Sequence, residues 1–138
     1  MDREKLKELY QYYSLQPSDI FTKNVGGKSF TIIKRQGIEK IQSKEAINIS
    51  YDVIKCETNF AVIKANAYVS DKPNDHIETF GSALKGSGYN DGNCMSWYVA
   101  EMAEKRALSR AVLKLTGFYE LGVMGEDESD DFKETKSN

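Results

Sequence analysis

A chain of 138 residues and 15.6 kDa holds one hydrophobic core of ordinary size, so a single domain is expected. Apolar residues make up 40% and charged residues 29%, which excludes a wholly disordered chain, and 19 basic against 21 acidic side chains give a formal charge of -2, with no overall basic excess. No apolar run approaches the roughly 20 residues that cross a bilayer, Met1-Asp2-Arg3-Glu4-Lys5 leads into no signal-like segment, and two cysteines with one histidine cannot build a disulfide scaffold or a cysteine-based zinc site; an intracellular protein is expected.

Residues 2 to 13 read as a short helix, with Leu6, Leu9, Tyr10 and Tyr13 at i, i+3, i+4 and i+7 and Pro17 ending it. Val25-Gly26-Gly27-Lys28 reads as a turn into the strand Ser29-Phe30-Thr31-Ile32-Ile33. Its glycines lack the spacing of a phosphate-binding loop. Lys34 to Ser43 is a second short helix, burying Ile38 and Ile41.

Period-two alternation then marks strands at Ile47 to Val53 and Phe60 to Val69, joined at Thr58-Asn59, and His76 to Ala83 is a third. Lys85 to Asn93, rich in glycine and small polar residues, reads as a flexible loop. Ser96 to Leu115 is the strongest helix, with a narrow stripe at Ala100, Ala103, Ala107 and Ala111 that allows close packing, and Gly117 stops it. The expected fold class is α+β: an antiparallel three- to four-stranded meander packed by a long C-terminal helix and shorter helices.

The final stretch, 125–138, carries six carboxylates against Lys133 and Lys136 and has almost nothing to bury. A single domain over 1–124 followed by a disordered acidic tail over 125–138 is therefore expected. Such a tail either improves solubility or, through Asp130-Asp131-Phe132, competes with nucleic acid or docks on a partner protein.

Candidate nucleic-acid contacts lie in three places. Arg106 and Arg110, with Lys105 beside them, are four apart on one helical face and can clamp successive backbone phosphates or be satisfied internally by Glu101 and Glu104. Lys34 and Arg35, with Lys40 nearby, make a second patch. Lys64 and Tyr68 share one face of a strand, and Tyr89 lies in the glycine-rich loop. Asp71, Asp75, His76 and Glu78 could be drawn into a metal site, the basis of a metal-dependent nuclease reading, but their spacing is loose. No Ser-His-acid arrangement is legible, and no catalytic, metal or cofactor-binding residue is assigned.

The run Met102-Ala103-Glu104-Lys105-Arg106-Ala107-Leu108-Ser109-Arg110-Ala111-Val112 resembles the M-A-E-x-R-A-x-x-R-A helix of phage recombination proteins. Those are single-strand-annealing and single-stranded-DNA-binding factors of the Erf and Red-beta types. Gly117 is similar to the glycine that closes that helix, and Phe30 to Ile41 looks like the strand and short helix that open the family's core, so the likeness spans Lys28 to Tyr119.

The resemblance implies a non-enzymatic single-stranded-DNA-binding protein of a phage or its bacterial host's cytoplasm, a homo-oligomer in rings or filaments that supports annealing or recombination of complementary strands. Arg106 and Arg110 carry over by position, with a role that is partly structural. Lys105 departs from the small polar residue of many relatives, and the length favours a compact binding protein over a full recombinase. The acidic tail would recruit a replication or recombination protein. The rival reading is a small protein-protein interaction module of a phage or mobile element, with both arginines engaged internally.

Overall fold

The computed structural model describes residues 2–87 and 91–129. Helix α1 (Arg3–Tyr12) begins where the Asp2 carboxylate accepts the Lys5 N–H at 3.1 Å, a side-chain cap on an otherwise unpaired amide. A short 3-10 turn at Pro17–Asp19 follows. Strands β1 (Ile20–Val25) and β2 (Lys28–Ile33) form a hairpin in which Val25 opposes Lys28. Gly26 and Gly27, at φ +56° and +81°, are its two-residue loop, and positive φ at both positions is what matches such a turn to strand twist.

Helix α2 (Arg35–Glu45) tolerates Gly37 because a Cβ there would lie 2.6 Å from Ile33 Cγ2, so the missing side chain lets the helix settle on β2. Strands β3 (Ile47–Cys56), β4 (Phe60–Val69) and β5 (Ile77–Leu84) form the antiparallel meander that the alternation predicts, in the order β3-β4-β5. Helix α3 (Val99–Leu115) lies across it. The alanine stripe has a clear physical reason. A Cβ at Gly81 of β5 would stand 2.0 Å from Ala103 O and 2.6 Å from Ala107 N, so helix backbone touches strand backbone. Ala103, Ala107 and Ala111 are fully buried there, and the Thr79 hydroxyl donates to Ala107 O at 2.7 Å.

The α+β class, the meander and the long covering helix agree with the sequence reading. The structure adds a second sheet, β1-β2-β6, in which β6 (Val123–Gly125) runs parallel to β2. Two apolar clusters divide the core. One gathers Leu6, Tyr13, Ile33, Ile41, Leu113 and Phe118 around the C-terminal half of α3; the other packs Ala61, Ile63, Ala83 and Cys94 beneath its first turns.

Two expectations are corrected. The long helix starts at Val99, not Ser96, because Ser96 Oγ accepts the Tyr98 N–H at 2.9 Å and holds 96–98 in a local turn. The segment expected to open a disordered tail carries structure at its start: Gly125 belongs to β6, and Glu126–Ser129 form a short helix, α4. Residues 130–138, with Asp130-Asp131-Phe132, lie outside the described residues.

Candidate nucleic-acid interface

Arg106 is a structural residue. It is 1% exposed, and its guanidinium donates to three backbone carbonyls: Nη1 to Ser82 at 2.8 Å, Nη2 to Asn93 at 2.7 Å and Nε to Asp127 at 3.2 Å. A fully buried cation with this set of acceptors cannot also clamp a phosphate, so its expected role as a contact is corrected. Arg110 is partly exposed and donates from Nη1 to Phe80 O at 2.8 Å.

The geometry explains the spacing. Four residues of helix rise about 6 Å and two residues of strand about 6.8 Å, so arginines at i and i+4 meet carbonyls at j+2 and j of the strand running the other way. Together they cover the outer edge of β5. Asn93 extends the cover, its Oδ1 accepting the Leu84 N–H at 2.7 Å while its own N–H donates to Leu84 O at 3.0 Å.

The second patch is also engaged. Arg35, at the first turn of α2, pairs with Asp127 at 2.9 Å, and its backbone N–H donates to Glu126 Oε1 at 3.0 Å, which caps the helix from a distant part of the chain. Asp127 therefore ties Arg35 to Arg106. Lys34, the N-cap residue of α2, and Lys105 on α3 are partly exposed. Lys40 is directed to Asp19, a carboxylate buried under α2 that also accepts from Gln16 N–H and Gln36. Burial acts to raise the Asp19 pKa, but these hydrogen bonds and the Lys40 charge outweigh it and bring it from 3.8 to about 2.

Lys64 and Tyr68 do share the open face of the meander. Lys64 stands between Asp52 at 3.8 Å and Glu78 at 3.5 Å, one on each neighbouring strand, so the cation is balanced within the sheet. Tyr68 stacks on His76 at 5.0 Å between ring centroids. That stacking, rather than a ligand cluster, occupies the histidine; among the described residues no group of three or more His, Cys, Asp or Glu could hold a metal ion. Tyr89 lies outside the described residues.

The most exposed rings in the described structure are not among the contacts expected from the sequence. Trp97 is 63% and Tyr98 70% exposed, next to Met95, on the short segment that joins the loop to α3. The Lys85 ammonium sits 4.8 Å from the centroid of the Trp97 ring, an arrangement of cation and π-face. Cys94 anchors the segment: it is buried, and its Sγ contacts Ser96 O at 3.2 Å. The signal is present in Met95-Ser96-Trp97-Tyr98, large apolar side chains next to a turn-forming serine, but the helical period places Ser96, Trp97 and Tyr98 in the long helix. On the open face nearby, Phe80 and Leu84 are exposed as well.

Comparison of the chain with protein-family models gives no match, and comparison with the curated proteins gives none either.

Proposed function

We propose that this protein binds single-stranded DNA without covalent chemistry and supports annealing or recombination of complementary strands as a homo-oligomer. The observation that carries the reading is the Trp97-Tyr98 pair, held out from the fold with Lys85 over the indole. Ring stacking accepts any base, and a nearby ammonium neutralises backbone charge, so binding is tolerant of sequence and weakened by salt. Several copies along one strand would add weak sites into a tight complex. In this reading Arg106 and Arg110 shape the platform, and the acidic C-terminal segment competes with the strand or recruits a replication or recombination protein.

Trp97 is the only tryptophan in the chain, so its fluorescence reports on the proposed contact directly. Titration with a labelled 30-nucleotide single strand should quench that emission and raise the anisotropy of the label together. Both effects should shrink at high salt and be weaker with duplex. Absence of binding at low salt, including after removal of 130–138, would overturn the proposal.

A second reading, a protein-protein interaction module, is favoured by Val53 and Ile54, which are 64% and 54% exposed on the outer strand β3. It predicts salt-insensitive association and no response to any oligonucleotide.

A further inference from the structure

A cleft of about 490 Å³ lies between α1 and the β1-β2 hairpin, lined by Arg3, Leu6, Lys7, Tyr10, Thr22, Ser29 and Thr31. Arg3, Leu6, Lys7 and Tyr10 are one face of α1, at i, i+3, i+4 and i+7. Thr22 opposes Thr31 across the hairpin, and Ser29 is two residues along β2, so the three hydroxyls stand on the facing wall.

From this geometry we infer that the cleft binds a phosphate ester whose organic part rests on Leu6 and the Tyr10 ring. Two cations four residues apart on one helix repel unless an anion lies between them. Among the described residues neither Arg3 nor Lys7 makes an ion pair, and both are exposed. No carboxylate lines the cleft.

The opposite wall offers one hydroxyl donor. Ser29 Oγ donates to Asn24 Oδ1 at 2.6 Å and the Thr31 hydroxyl is hydrogen-bonded to the Tyr10 side chain, so the exposed Thr22 hydroxyl is the donor this wall presents. A phosphate has enough acceptor oxygens to meet a guanidinium, an ammonium and a hydroxyl from two walls at once. Leu6 is nearly buried and the Tyr10 ring is stacked on Phe118 at 6.2 Å, so the apolar floor is fixed before a ligand arrives.

This inference is independent of the Trp97 platform. Tyr10 packs on Phe118, beyond the C-terminal end of α3, whereas Trp97 lies before its N-terminal end, and the 17-residue helix spans roughly 25 Å.

The test is an amide-resonance titration of the full chain with deoxyadenosine 5′-monophosphate, with deoxyadenosine and inorganic phosphate as controls. The nucleotide should shift Thr22, Ser29 and Thr31 saturably, phosphate should shift the same amides more weakly, and the nucleoside should leave them in place. The double substitution Arg3→Glu with Lys7→Glu should weaken nucleotide binding at least roughly tenfold. Should that variant not fold, Thr22→Val, which keeps the shape and removes a donor, should weaken it several-fold.

Equal responses to nucleotide and nucleoside, equal affinity in the variants, or no saturable shift would each overturn the inference. Oligothymidylates with and without a 5′-phosphate then identify the source of the ester. Response to both assigns internal backbone phosphates, response to the phosphorylated strand alone assigns a strand end, and response to neither assigns a free nucleotide.

Discussion

The two outer edges of the meander are built differently. Along β5 the outward carbonyls of Phe80, Ser82 and Leu84 are met by Arg110, Arg106 and Asn93. Along β3 no comparable cover is seen among the described residues: Tyr51, Val53 and Ile54 are exposed, and the strand is interrupted by a register shift between Val53 and Lys55. A bulge and charged side chains such as Asp52 and Lys55 discourage stray pairing without closing an edge. One edge is therefore covered by side chains, and the other is exposed. The arginine spacing that suggests phosphate binding belongs to the first.

The sharpest way to break this contrast is Arg106→Ala. It takes a charged donor away from three carbonyls around a cavity and should destabilise the fold by about 3–5 kcal/mol in urea unfolding. Gly81→Ala should cost about 3 kcal/mol by forcing α3 off β5, measured in the same way. Arg110→Ala, at a partly exposed site, should cost about 1–2 kcal/mol. Val53→Lys on the open edge should change stability by no more than about 0.5 kcal/mol.

Acid sensitivity separates the edges from the base of the fold. Asp19 is held at about 2, below its ordinary 3.8, so its stabilising effect is complete above about pH 4 and is lost as pH falls through about 2. Unfolding midpoints should drop across that window, and Asp19→Asn should flatten the drop.

Much of the fold is legible in the sequence, and the exceptions have physical causes. β4 is plain because Ala61, Ile63, Ala65 and Ala67 alternate with half-exposed residues under a covering helix. β1 is hidden because Thr22 and Asn24 share a face with Ile20, which breaks the alternation, and β6 has three residues and no period. The site was harder. Helix i,i+4 spacing suits phosphates and strand carbonyls alike, so Arg106 and Arg110 could not be assigned without β5 in place. Lys64 looks available along its own strand, but Asp52 and Glu78 come from the strands on either side. Trp97 and Tyr98 were concealed by one serine that delays the helix.

In the proposed complex, exposed rings and not the motif arginines meet the strand. Affinity for a labelled single strand should therefore be compared in folded Trp97→Ala, Tyr98→Ala and Arg110→Ala proteins at one salt concentration. Each ring substitution should weaken binding by about 1–3 kcal/mol, while Arg110→Ala stays close to the parent. Loss of binding in Arg110→Ala, with the ring variants unchanged, would contradict the account.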